Sequence, residues 1–310
     1  MLRFWRSRHD AVGQHFNREE HPGFFRGALA WRGSVTPRII PGVLTVVFYN
    51  WILLLIDEHF YDLPHLDVTP FEYIGAVLGL VLVFRTNAGH DRWWEARKLW
   101  GGIVNQSRNL LLMAWTYGPV DYRWRQEISK WIVTFSFSAK ESLRQQTRFD
   151  ELRTMLNDNE ISDLKQAQHM PMWVSGKIAG LLEQARSKHQ LDTFVFMEFE
   201  KQRGLLIDYI GGCERILKTP MPLVYAIKTR RFILLYLLLL PVSLIDVVGS
   251  ISIFITVLVA YPLLSLDRIG FELQNPFSER NLSHLPLQAI CETILNNGKA
   301  MTEQDHRENF

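Results

Sequence analysis

Ala76, Leu80 and Phe84 recur every four residues along an uncharged run, 73–84. Apolar side chains at this spacing share one face of a helix. They can do one piece of physical chemistry, the exclusion of water. That happens by packing against another helix, or by lining a narrow passage between symmetric copies. Gly75 and Gly79 share a neighbouring face, where missing side chains let two helices approach closely in lipid. Upstream, Thr69, Pro70 and Glu72 fit a helix start, with Thr69 as the cap and Glu72 at the third helical position. Glu72 is alternatively placed to form an acidic ring at a pore mouth.

Covalent chemistry finds little support. There is no glycine-rich phosphate loop, no HExxH and no paired-cysteine zinc motif. The ten histidines are scattered without metal-ligand spacing. Asp57, Glu58 and His59 stand together, but as an exposed acidic turn rather than a metal or proton site. Ser107 lacks a nucleophile-elbow context. Cys213 and Cys291 are too few and too far apart for a disulfide framework, and read as reduced, buried thiols. No catalytic residue, metal ligand or cofactor is expected.

The elements that carry these residues follow from charge segregation. The chain has 310 residues and a net charge of +2, which gives no overall field toward nucleic acid. From Phe232 to Leu266 the only charged residue is Asp246, whereas 85–231 is crowded with both signs. Four apolar segments stand out: 39–56, 71–84, 232–245 and 247–266. At 1.5 Å per residue they reach from about 21 to about 30 Å, the last equal to one hydrocarbon core. Asp246 is expected at the outer turn of the last pair, with Pro241 kinking or ending the first of them. Basic flanks (Arg26, Arg32, Arg38; Arg85, Arg92; Lys228, Arg230, Arg231; Arg268) and the acidic turn Asp57–Asp67 place both termini and the middle of the chain in the cytosol. Trp31, Trp51, Tyr61 and Tyr73 suit the interfaces. The amino terminus shows no signal peptide and is expected to stay in the cytosol. The fold class is therefore all-α, with four transmembrane helices per subunit fused to a cytosolic helical bundle, 85–231 and 267–295. Loops are expected at Gly118-Pro119 and 156–162, and a polar tail at 296–310.

Three motifs then carry a resemblance. The stretches FRTNAGHDRWWEARKLWG (84–101), GCERILKTPMPLVY (212–225) and ELQNPF (272–277) resemble the bestrophin family, especially its bacterial homologues. The resemblance runs from about Trp31 to Leu295, and 1–295 is read as one domain. It implies a homopentamer around a central pore in the bacterial inner membrane, with lipid and monovalent ions as partners. It implies a neck of apolar rings at Ala76, Leu80 and Phe84, with a wide outer ring at Ala76. Counting back from GCER without a gap puts a cytosolic constriction at Phe194. It implies a chloride or anion channel; a sodium-selective channel of the same fold and a secondary transporter of a small anion stand as alternatives. Acids near the outer end (Asp57, Glu58, Asp62, Asp67, Glu72) would draw cations, and Arg85 and Arg92 near the inner end would draw anions. Animal bestrophins follow NPF with a run of acids that helps bind calcium. Here Ser278, Glu279, Arg280 and Asn281 follow, and no calcium activation through this segment is expected.

Overall fold

A computed structural model describes residues 23–31 and 33–308, and Arg32 of the basic flank lies outside them. Among these residues every regular element is helical. The helices are α1 (Phe24–Ala28), α2 (Thr36–His59), α3 (Thr69–Thr116), α4 (Tyr122–Arg144), α5 (Asp158–Gln166), α6 (Met170–Ser187), α7 (Thr193–Lys218), α8 (Leu223–Val248), α9 (Ser252–Glu272) and α10 (Leu287–Glu308). Three helical stretches are long and apolar enough to cross a membrane: Thr36–His59, Thr69–Thr116 and Leu223–Glu272. The described chain clusters into two compact units. One runs up to Leu66 and takes in Leu240–Ser265; the other takes in Asp67–Leu239 and continues from Leu266.

In the first unit α2 meets α9 through polar groups. Asn50 donates to Thr256 Oγ1 at 2.9 Å and accepts from Ser252 at 3.3 Å, and all three residues are buried. Buried amide and hydroxyl groups hold helices together in lipid only when they satisfy one another, as these do. Asp57, Glu58 and His59 form the last turn of α2 rather than a turn outside it.

The break in the stretch 223–272 differs from the expected one. Pro241 lies inside α8, which continues to Val248. A proline removes one backbone donor, and one lost bond does not stop a helix of this length. Asp246 is still helical. The chain turns at Gly249–Ile251, where Gly249 takes a φ of 55° that a side chain would resist.

The second unit holds the main core. Here α3 packs along α7, α4 along α6, and α10 against α4 and α3. Phe135, Phe137, Trp100 and Phe199 are fully buried there. Full burial of an apolar side chain of this size contributes about 1.5–3 kcal/mol. Cys213 and Cys291 lie in this core, unpaired, and burial pushes both thiols up to about 12.

Two expected irregular segments are helical instead. The stretch 156–162 contains the start of α5, where Asn157 accepts from Glu160 N and Glu160 bonds back to Asn157 N, each at 2.9 Å. This reciprocal cap satisfies two helix-end donors and turns a polar run into a helix start. The tail from 296 continues α10. Cys291, Ile294 and Gly298 share one face, and Gly298 brings the helix close to Val133. Polar composition hid an amphipathic pattern.

Candidate functional site

The helix α3 runs 48 residues without a break. At 1.5 Å per residue that is about 72 Å, more than twice a hydrocarbon core of about 30 Å. Pro70 stands in its first turn, and Pro119 follows its end. No proline lies between them, so the switch from apolar to charged residues at Arg85 does not interrupt the backbone. The buried residues form one stripe, Leu78, Leu82, Arg85, Gly89, Ala96 and Trp100.

Ala76, Leu80 and Phe84 lie on the opposite face. All three are exposed, Leu80 at 55% and Phe84 at 61%. Val77 and Tyr73 widen the same arc. An exposed apolar arc on a helix whose other face is packed needs a partner surface, lipid or a dewetted passage.

The glycines divide. A Cβ on Gly75 would stand 2.6 Å from the Tyr236 hydroxyl, so Gly75 is where α3 and α8 pack closely. A Cβ on Gly79 would meet nothing within 4 Å, so Gly79 is not part of that contact. Gly75→Ala is therefore expected to cost about 1–3 kcal/mol by overpacking. Adding Tyr236→Phe should recover much of it, because the nearest atom is the hydroxyl oxygen. Gly79→Ala should be neutral or stabilising. Thermal melts of the purified variants in detergent check all three.

Helix α3 begins differently from the expected capping. Thr69 is already helical, and neither Thr69 nor Glu72 forms a cap. Asp67 supplies the acceptor, taking Thr69 N and Thr69 Oγ1 at 2.9 Å each. These two bonds hold the Asp67 carboxyl below its usual range. Glu72 stays exposed in the first turn, where a carboxylate suits the helix dipole.

Below Phe84 the charged residues act as anchors. Arg85 is 1% exposed and bonds to Asp267, which also accepts from Arg230 Nε at 3.1 Å. Arg92 donates to the carbonyls of Ile216 at 2.5 Å and Thr219 at 2.9 Å, closing the end of α7. Neither arginine is a free charge available to draw ions, contrary to expectation. Trp93 Nε1 donates to Ser283 O at 2.7 Å. A Cβ on Gly89 would lie 3.0 Å from Leu273, and one on Gly212 2.9 Å from Leu99. The motifs at 84–101, 212–225 and 272–277 thus meet at one junction under the apolar face. The missed residue is Asp267, which joins Arg85 and Arg230; Arg85 and Asp267 stand 182 positions apart, and no local spacing reveals such a pair.

Phe194 sits on the first turn of α7, 81% exposed. Asp192 caps this turn, accepting from Phe194 N at 2.8 Å. The cap fixes the backbone from which the ring projects.

After NPF, Glu279 pairs with Arg144 at 2.7 Å. Its carboxylate is engaged by a cation, which leaves little for a metal that wants six to eight oxygens. Titration of the purified protein with calcium is expected to show no micromolar binding. Micromolar binding lost in Glu279→Ala would contradict this.

Among known proteins, the family described as Bacterial/Fungal Bestrophin protein matches residues 16–300. A protein of Nostoc sp., named a voltage-dependent anion channel-forming protein, is 33% identical over 279 residues, 88% of this chain and 90% of that protein. One of the same name from Synechocystis sp. is 31% identical, over 86% of this chain and 87% of its own. The crystal structure of a bacterial bestrophin homolog from Klebsiella pneumoniae aligns with a TM-score of 0.79 at 29% identity, covering 86% of this chain and 98% of that one. With matches over nearly their full length and the three motifs gathered at one junction, this chain is a member of the bestrophin family.

Proposed function

We propose that the chain is a subunit of an anion channel, with its pore lined by the Ala76, Leu80 and Phe84 face of α3. The observation that carries this reading is the exposed apolar arc, set on a helix anchored on its other face. The names of the Nostoc and Synechocystis relatives supply the ion class. Copies around a fivefold axis would turn each residue into a ring, with Leu80 and Phe84 narrowing the passage and Ala76 leaving it wider. Phe194 would form a second constriction in the cytosolic part. Chloride and similar monovalent anions are the proposed cargo.

The reading has four crossings, because the turn at Gly249–Ile251 divides the third apolar stretch. Basic flanks support both termini in the cytosol, and the bacterial inner membrane is the proposed location. The family match spans both compact units, which supports treating them as one domain.

Transport by alternating access fits less well. It wants free polar groups near the midplane and broken helices around them. Asn50, Ser252 and Thr256 instead bond to one another. A cation-conducting channel of the same shape draws support from the exposed outer acids Glu58, Asp62 and Glu72.

Purified protein in planar bilayers under asymmetric potassium chloride tests the ion class. Reversal near the chloride equilibrium potential is expected. Reversal near the potassium potential would replace anion by cation, and silent bilayers with saturable counterflow in liposomes would favour transport. Mass photometry in detergent should give a pentamer; a stable monomer or dimer leaves no shared pore.

A further inference from the structure

A polar cavity of about 530 Å³ opens where the end of α4 meets the segment after α9. Arg144, Arg148 and Arg280 line it, against one carboxylate, Glu279. Three guanidinium groups around one carboxylate leave a local excess of positive charge. Like charges are not gathered this way without some offsetting gain.

Arg144 is the informative group. Its side chain is only 5% exposed, and Nη1 meets Glu279 at 2.7 Å. Its Nε is buried with no hydrogen-bond partner. A guanidinium carries five donors in a planar fork, and one carboxylate on Nη1 leaves the Nε edge unused. That edge, shared with Nη2, is the one that grips two oxygens of a carboxylate or phosphate together. A buried unpartnered donor on a charged group is unfavourable, so an acceptor arriving there gains more than it would at the surface.

The walls are already set. Gln145 ends α4 in the left-handed region, with a φ of 56°. Arg148 N donates to Glu141 at 2.7 Å, which fixes the loop that follows. Across the cavity Asn281 donates to the carbonyls of Asn275 at 2.9 Å and Glu272 at 3.1 Å. A cavity with a fixed backbone costs little ordering on binding.

We propose that this cavity binds a small phosphate-bearing anion, separately from the pore. Arg144 and Arg148 hold its oxygens, with Arg280 adding positive charge. The volume exceeds the needs of a lone halide, and the fork geometry selects an oxyanion over a spherical ion. Glu279 competes for Arg144, and its side chain is 43% exposed. The cavity is then a place where a soluble metabolite biases the junction beneath the neck. Asn275 lines the cavity, and Asn281 ties its carbonyl to that of Glu272 at the end of α9.

The test is calorimetric titration of purified full-length protein in detergent at low salt, with inorganic phosphate and then pyrophosphate. Saturable binding of one ion per chain is expected, pyrophosphate the tighter. Arg148→Glu should weaken it by about tenfold or more. Glu279→Gln should tighten it by about threefold, since a competing carboxylate is gone. A merely structural role for Glu279 would not tighten anion binding. The proposal is overturned by no saturable heat up to about 10 mM of either probe, a concentration that spans millimolar affinities. It is also overturned by unchanged affinity in both variants, or by weaker binding in Glu279→Gln. The readout is binding alone, so it stands or falls independently of conduction.

Discussion

Phe84→Ala should raise single-channel open probability or conductance by about threefold or more, and Leu80→Ala should do the same to a smaller degree. Both side chains project from the exposed face of α3, and neither fills the core of its own subunit. Truncation therefore removes an obstacle without opening a cavity. A ring of phenyl groups close to an axis expels water, and an ion cannot shed its hydration shell into such a space without compensation. Alanine at the same position widens the ring and lets water persist. Ala76→Phe should act in the opposite sense, since Ala76 lies on the same face and is the smallest of the three. Bilayer recordings read all three changes, and unit stability should remain within about 0.5 kcal/mol, as for exposed positions generally. Unchanged currents in both alanine variants would mean that these side chains do not gate.

Asp267→Asn should destabilise the junction by about 3–5 kcal/mol. Arg85 is fully buried, and its Nε and Nη2 have no hydrogen-bond partner, so Asp267 is its counter-charge. Neutralising the carboxylate strands a guanidinium in a site that excludes water. Replacing Arg85 and Asp267 together by apolar residues of similar volume should restore most of the loss, because the pair's own net contribution is small once desolvation is counted. Arg230→Gln serves as the control. Arg230 reaches Asp267 from a half-exposed position, and such a pair contributes about 0–1 kcal/mol. Thermal melts and detergent-resistance assays of the three variants measure the order. The effect should also reach conduction, since Arg85 directly follows Phe84 and sets the height and rotation of that ring.

Much of this arrangement was legible in the sequence, and the failures have physical causes. The stripe 76, 80, 84 could be found because helical periodicity is local, and the structure places its members on one exposed face. The cap of α3 was misplaced by two residues. Asp67 and Thr69 are both good acceptors, and only the fold shows which carboxylate or hydroxyl faces the free N–H groups. Asp246 drew attention as the single charge in an apolar stretch, yet charge does not turn a chain; the positive φ of Gly249 does. Arg85 and Arg92 read as free cations because sequence shows a charge without its partner. Asp267 and the carbonyls of Ile216 and Thr219 lie far along the chain, and nothing in local spacing announces them. The same limit applies to the tryptophan- and arginine-rich stretch after Phe84, whose spacing shows its charges and rings without their partners. That stretch carries the set of bonds that ties α3 to the end of α7 and to the segment after α9.

The central claim is that the Ala76, Leu80 and Phe84 face of α3 is the wall of an ion pathway. Cysteine accessibility during conduction tests it most directly. The native thiols of Cys213 and Cys291 are buried and shifted up to about 12, so a charged methanethiosulfonate reagent should leave the parent protein unchanged. Leu80→Cys and Phe84→Cys channels should then react while open, and their currents should fall or change selectivity within the exposure. Leu78→Cys and Leu82→Cys, on the buried stripe, should not react. Modification at 78 and 82 with silence at 80 and 84 would contradict the account, and the pathway would have to be sought on another surface.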